Sequence, residues 1–520
     1  MNIEALKKNL KHTAPGLLGI DAMEIVIGKD VMELLSSAMY VEPMSVYREY
    51  IQNAADAIDD ARMAGLLAPD EPGRVNIEID PVSRTISFHD NGTGIAWPDF
   101  VPRLTTLGSS SKRNSSARGF RGVGRLAGLG YAQELVFRSR TPGEPMVSEM
   151  RWDCRKLRVL LRTQDELDLP TLISAVVSVG RIEGEGWPER FFQTEMRGIV
   201  RLKADRLMDA GAIDDYLAQV APVPFSSEFP FAELIRERLD GVVRLGEIDI
   251  RISGRDAPIR RPHRAGFVLD ETRTAAFTDI EFFELPSVDG GLAAICWVLH
   301  HDYVGALHNN TGIKGLRLRS GNIQIGEATL LEELFPEARF NSWCVGEVHV
   351  VDRRLVPNGR RDHFEQNNHY ANLLNHLAPI TREISRRCRT GSVRRKLRRD
   401  FSSKKSMGEE RLAVIEQGAM NAARREELVR ETVQLQKQMQ RIVSAPALLE
   451  TDVQEMSAQV AQIESRIADL RDAPEAADAL APLPAEKRSM YEHMFDLIYS
   501  CSTNRMAAKA LIDRIIEKIT

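Results

Sequence analysis

The stretch at 48–60, REYIQNAADAIDD, has helical periodicity, with Tyr50, Ile51, Ala54, Ala55 and Ile58 forming one apolar stripe. Glu49, Asn53 and Asp56 stand at i, i+4 and i+7 on a different face, one above another. A solvated face would ordinarily carry long, flexible charges. Here a short amide lies between an acid and a pair of alanines, which leaves room for something large to approach the helix closely. The reading of that face decides the rest.

Outward from this helix, RVNIEIDPVSRTISFHDNG (74–92) reads as two short strands of alternating apolar and polar residues around a Pro-Val-Ser-Arg turn. A Gly/Ser-rich stretch follows, LTTLGSSSKRNSSARGFRGVGRLAGLGY (104–131), and then the strand pattern ELVFRSR (134–140). Helices mixed with antiparallel strands point to an α/β sandwich and away from a parallel Rossmann sheet. Two further motifs accompany the helix: DNGTGI at 90–95, closing a strand, and the glycine turn GFRGVG at 119–124. Each alone marks only a turn. The three in this order are far more specific.

Together they closely resemble the gyrase, heat-shock chaperone, histidine kinase and MutL superfamily of ATPases (GHKL). The resemblance is dense over 40–131 and thinner to about 200. The segment GSSSKR (108–113) is most similar to the lids of the ninety-kilodalton heat-shock chaperones and of MORC ATPases. Histidine kinases are disfavoured, because neither a membrane segment nor a phospho-acceptor helix is evident. The resemblance implies ATP and Mg2+ as ligands, with Asn53 as the metal-binding amide. A hard cation of this kind takes oxygen ligands. Glu49, one turn earlier, is implied as the base that orients and deprotonates the attacking water. Asp90 is implied as acceptor for the adenine amino group, with Gly92 and Gly94 letting backbone approach the purine. Gly119, Phe120, Arg121, Gly122, Val123 and Gly124 are implied to wrap the triphosphate as an anion-binding concavity. Asp56, Ile95 and the lid residue Lys112 complete the nucleotide-binding set. The family often has a Gly-Thr pair in a later strand, whereas here Gly198 is followed by Ile199, and Thr194 is the substitute. No Walker lysine motif is present, so a P-loop enzyme is excluded.

From about 200 the chain reads as a second α/β unit. A Pro-rich entry, YLAQVAPVPFSSEFPF, precedes the strand patterns EIDIRISG, GGLAAICWVLH, GLRLRSGNIQIG and CVGEVHVVD. The loop VVDRRLVPNGRRDHFE (350–365) resembles the one from which MutL and the heat-shock chaperones send a basic side chain to the γ-phosphate. Arg361 is the first choice for that role, Arg360 the second and Lys314 a weaker rival.

Residues 382–405 hold eleven Lys/Arg against two acids, the best candidate for contact with duplex DNA. Beyond them the pattern is helical, and Val453, Met456, Val460, Ile463, Ile467 and Leu470 repeat at the 3- and 4-residue spacing of a coiled-coil seam. Leu428, Leu435 and Ile442 form a weaker seam upstream, Pro446 separates the two, and DAPEAADALAPLPAE reads as a linker. The fold class expected is α+β. A GHKL (Bergerat) sandwich over 1–200 and a transducer-like α/β domain over 201–380 precede a basic segment at 381–407 and a helical, coiled-coil region at 408–520.

At 520 residues, 43% hydrophobic and 28% charged, with a net charge of −5, the composition is that of an ordinary multidomain globular protein. The five cysteines include no CxxC pair, which argues against a zinc site or disulfide framework and fits a reducing, cytoplasmic compartment. No run approaches the ~20 apolar residues of a membrane span. The expected function is a nucleotide-gated ATPase clamp on nucleic acid. Its partners would be a second copy of the chain, through the N-terminal domain or the C-terminal helices, and an effector protein. Bacterial relatives of this form suggest genome defence by analogy. The alternatives are a protein-remodelling chaperone and a slowly hydrolysing scaffold. No MutL-type nuclease motif, MORC-type zinc finger or acidic tail is seen.

Overall fold

A computed structural model describes residues 32, 42–106, 124–163, 168–202, 204–270, 273–303, 305–472 and 479–520. The chain divides into two compact units: residues up to 301 with 306–382, and residues 302–305 with 383–520.

The first unit holds two sheets. Helix α1 (Ser45–Met63) carries the stripe predicted from sequence, with Tyr50, Ile51, Ala54, Ala55 and Ile58 all buried. Strands β1 (Arg74–Asp80) and β2 (Thr85–Asp90) pair antiparallel as the alternation required. Helix α2 (Trp97–Thr105) follows, and then β3 (Glu134–Arg140) and β4 (Met146–Asp153). Two short helices, α3 (Cys154–Arg162) and α4 (Leu169–Val176), precede β5 (Val177–Glu183) and β6 (Phe191–Arg197). Helices α5 (Ala210–Val220) and α6 (Ala232–Leu239) lead to β7 (Asp249–Ile252). The sheet order is β5-β4-β3-β6-β2-β1-β7. Its core joins Val75, Ile77, Phe88, Phe137 and Met196 to the buried side of α1, the helix-on-sheet sandwich that the motifs imply.

The strand expected to belong to the second α/β unit, EIDIRISG, instead supplies β7, which pairs parallel with β1. A domain boundary at residue 200 therefore cuts through this sheet. The physical reason is burial: Ile250 and Ile252 align with Val75 and Ile77 and extend the same apolar face across what would otherwise be an open edge.

A hairpin of β8 (Gly266–Asp270) and β9 (Arg273–Ala276) precedes the second sheet. That sheet comprises β10 (Asp279–Pro286), β11 (Leu292–His300), β12 (Gly315–Ser320), β13 (Ile323–Ile325) and β14 (Val345–Val350), in the order β10-β11-β14-β12-β13. Beneath it lies a buried charge cluster. Arg261 Nη1 donates to Glu347 Oε2 at 2.7 Å, and Arg319 Nε donates to Glu347 Oε1 at 2.5 Å. The same guanidinium groups donate to the carbonyls of Val223 and Gln219, at 3.0 and 2.6 Å, tying the last turn of α5 and the segment after it to this cluster. Although burial opposes ionisation, the two arginines hold the Glu347 carboxyl well below the usual range. Removing one member of such a set strands the others in low dielectric. Glu347→Ala is therefore expected to cost about 3 kcal/mol, read as a lower denaturant midpoint at unchanged m-value.

Helix α7 (Asn368–Glu416) runs from the first unit into the second, so the basic segment is one continuous stretch of helix. The second unit continues with α8 (Ala422–Val443), α9 (Glu450–Asp472), α10 (Ala485–Cys501) and α11 (Arg505–Ile519). The heptad residues Met456, Val460, Ile463 and Ile467 are buried against Phe401 and Leu412 of α7 and Met439 of α8. That seam is thus filled by helices of the same chain. No described helix is long and apolar enough to cross a membrane.

Candidate functional site

The outer face of α1 is not solvated. Glu49 is only 5% exposed, and Asn53, one turn further on, is half-buried. A 3-10 helix at Gly124–Gly130 packs against α1, with the Gly128 N–H donating to the hydroxyl of Tyr50, on the apolar stripe, at 2.9 Å. Gly124 touches the acid so closely that a Cβ there would come 2.3 Å from Glu49 Oε2. Only glycine leaves Glu49 its present position.

The second charge comes from far along the chain. Arg361 lies in the loop after β14, with φ of +56°, and its Nε sits 3.1 Å from Glu49 Oε1. Arg361 is 9% exposed, whereas Arg360 is exposed and offers its carbonyl. Arg48 makes the join. Its Nη2 donates to the Arg360 carbonyl at 2.8 Å and its Nη1 reaches the Arg361 carbonyl at 3.5 Å, while its Nε lies 3.8 Å from Glu49. The Lys314 ammonium contacts Asn309 instead. Two guanidinium groups against one carboxylate leave this buried spot net positive, which favours an anion.

Asp90 ends β2 on the inner face of the sheet, 5% exposed, and accepts the Gly92 N–H at 2.8 Å. Burial pushes its carboxyl up to about 7, against the lowering effects of the Gly92 hydrogen bond and the Arg190 charge. The following turn is clamped from several sides. Arg190 Nη1 donates to the Gly92 carbonyl at 2.7 Å and also to that of Asn91. Gly94, at φ +67°, passes so near β3 that a Cβ would meet the Arg140 carbonyl at 2.3 Å. The Ile95 N–H donates to Ser139 Oγ at 2.7 Å. Thr194 is buried on β6, where it pairs with Phe88 and Phe137, so it shares the sheet face of Asp90 and is diagonal to it. Asp56 is 1% exposed on α1.

Glu49, Asn53, Asp56, Gly124 and Arg361 thus gather around α1, and Asp90, Gly92, Gly94, Ile95 and Thr194 around the end of β2. Lys112, Gly119, Phe120, Arg121, Gly122 and Val123 lie outside the described residues. Arg48, Arg190 and Ser139 were not singled out from sequence, and Tyr50 was read only as part of the apolar stripe. Arg48 had a weak signal, being an arginine immediately before the motif acid. Arg190 and Ser139 had none.

The resemblance is matched by known proteins. Residues 41–171 fit the family of histidine kinase-, DNA gyrase B- and HSP90-like ATPases, so this part of the chain is a GHKL ATPase domain. Among individual relatives, the chaperone protein HtpG of Polaromonas naphthalenivorans is 29% identical over 139 residues, covering 24% of this chain and 22% of that protein. HtpG of Acinetobacter baylyi is 28% identical over 139 residues, with the same shares. HtpG of Verminephrobacter eiseniae is 30% identical over 139 residues, 24% of this chain and 21% of its own. The match spans about a fifth of the length of these relatives.

ATP is the ligand that a domain of this class implies, and the residues present fit it. A buried acceptor at Asp90 suits an adenine amino group. Among the described residues the Asn53 amide has no hydrogen-bond partner, and it stands one turn from Glu49 and its two arginines. No group of three or more His, Cys, Asp and Glu side chains able to hold a metal occurs among the described residues. Asn53 is the residue that would hold a magnesium ion accompanying the nucleotide, supplying an amide oxygen of the kind such a cation takes.

Proposed function

We propose that the chain hydrolyses ATP to ADP and phosphate and uses the cycle as a gated clamp. The observation that carries this reading is the 3.1 Å approach of Arg361 to Glu49, which brings a cation from the loop after β14 to the acid of the ATPase helix. Glu49 holds the attacking water and takes its proton. Arg361 stabilises charge on the transferring phosphoryl group. Asn53 holds the magnesium ion, which when bound neutralises phosphate charge. Asp90 accepts from the adenine amino group and so selects the base. Arg48 is a positioning residue: by holding the Arg360 and Arg361 carbonyls it couples the loop to α1. A change at the phosphates is then felt by the segment leading into α7.

The Asp90 role has a pH signature. With its carboxyl pushed up to about 7, the acid is largely protonated at pH 6 and ionised at pH 8. The ionised form is the stronger acceptor. Adenine-nucleotide affinity measured by calorimetry should therefore rise several-fold from pH 6 to pH 8. An affinity flat across that range removes Asp90 as the base-selecting group.

A second reading, a polypeptide-remodelling chaperone, is favoured by the similarity to HtpG over the ATPase domain. Steady-state ATP turnover with duplex DNA, and in parallel with a denatured polypeptide, separates the two. Stimulation of the Glu49-dependent rate by DNA supports the clamp, and stimulation by polypeptide supports the chaperone. Turnover that Glu49→Ala leaves intact refutes both.

A further inference from the structure

The 383–405 part of α7 is two-sided. Its buried side includes Cys388 and Phe401, the latter packed into the core formed with α8 and α9. Several of its arginines are paired: Arg386 and Arg387 both bond Glu383 of the same helix, Arg394 bonds Asp452 Oδ2, and Arg398 reaches Asp452 Oδ1 at 3.3 Å, with Asp452 itself only 3% exposed. Truncating Arg394 would strand a buried acid, so that residue is structural. Arg386, Arg389, Lys396 and Arg399 are exposed. At helical pitch they extend over about 20 Å. Helix α8 lies alongside, because Lys404 Nζ donates to Gln438 Oε1 at 2.7 Å, and this brings the exposed Lys437 and Arg441 to the same end of the unit.

We propose that this face of the helical unit binds double-helical nucleic acid through its phosphates. Three observations favour that occupant. Residues 382–405 carry eleven basic side chains and two acids, and Asp452, the acid supplied by α9, is spent on Arg394 and Arg398. The charges lie on one continuous helix, matching the line of phosphates along a duplex and not a compact anion. The one aromatic in the segment, Phe401, is 2% exposed, so no stacking platform faces solvent, as single-strand binding would require. The inference rests on the clamp reading, to which it adds the partner and the surface.

The test is fluorescence anisotropy of a labelled ~30-bp duplex with the full chain, without nucleotide, at about 50 and about 200 mM salt. Duplex DNA and duplex RNA are run side by side, with single-stranded DNA and phosphatidylserine vesicles as competitors. Duplex affinity should fall about 10²–10³-fold between the two salts. The charge reversal Arg389→Glu, Lys396→Glu, Arg399→Glu should weaken binding at least ~10-fold at the lower salt. It should also lower the log–log salt slope by about three contacts' worth. Arg389→Lys with Arg399→Lys keeps the charge and should bind as the parent does, which separates charge from fold. An absence of salt-sensitive duplex binding overturns the proposal. So does reversal without effect, loss in the lysine variant equal to that in the reversal, or preferential capture of single strands or vesicles. Because ATP is left out, failure here leaves the hydrolysis reading standing. Failure of Glu49→Ala to stop turnover is read by phosphate release and bears on the clamp, whereas the duplex affinity measured here bears on the surface, so the two failures are distinguishable.

Discussion

Glu49→Ala is expected to lower ATP turnover by about 10²–10⁴-fold, the usual worth of a positioned general base. ATP affinity should hold or improve. The sign of the second effect follows from the charges around the acid. Glu49 is 5% exposed and has Arg361 at 3.1 Å and Arg48 at 3.8 Å. Deleting it removes the only negative member of that trio and leaves two guanidinium groups to meet a polyphosphate. Binding by calorimetry and turnover by phosphate release should therefore move apart. Glu49→Gln keeps the shape against Gly124 and should show the same loss of turnover. Equal falls in binding and turnover would mean that Glu49 only shapes the site.

Short-range spacing made the placement of several candidate residues legible in the sequence, while the roles assigned to them came from the family resemblance. The i, i+4, i+7 placement of Glu49, Asn53 and Asp56 needs only the helical period. The β1–β2 alternation and the DNGTGI turn need only local chemistry. What was not legible depends on the tertiary path of the chain. The pairing of β7 with β1 is parallel and joins segments on either side of α5 and α6, so no local pattern specifies it. Arg48 is adjacent to Glu49 in sequence and would nominally point about 100° away around the helix. Its long side chain reaches instead for carbonyls of a loop 313 residues on. The heptad seam of α9 was read correctly as apolar, but periodicity cannot name the partner of such a stripe. The structure fills it with Phe401, Leu412 and Met439 of the same chain.

Arg361→Gly should reduce kcat by about 10²–10³-fold, in the range of lost transition-state donors, with a much smaller change in KM. Glycine is the informative replacement, because Arg361 is held at φ +56°, where any residue with a Cβ is strained. The chain tolerates that strain by bonding the Arg361 N–H to the Asn358 carbonyl at 3.2 Å and the Arg361 carbonyl to the Gly326 N–H at 2.9 Å. Strain maintained in this way marks a side chain that is needed at one place. Arg361→Gly relaxes the backbone but leaves the buried Glu49 carboxylate with Arg48 at 3.8 Å in place of Arg361 at 3.1 Å, so the thermal midpoint should fall while the protein stays folded and turnover collapses. Arg361→Lys restores a charge without the planar fork and should recover only part of kcat. Arg360→Ala removes an exposed side chain and leaves the carbonyl that Arg48 holds, so it should change kcat less than about twofold, as surface substitutions usually do. Losses of similar size for Arg360→Ala and Arg361→Gly would assign the effect to the loop and not to the Arg361 side chain.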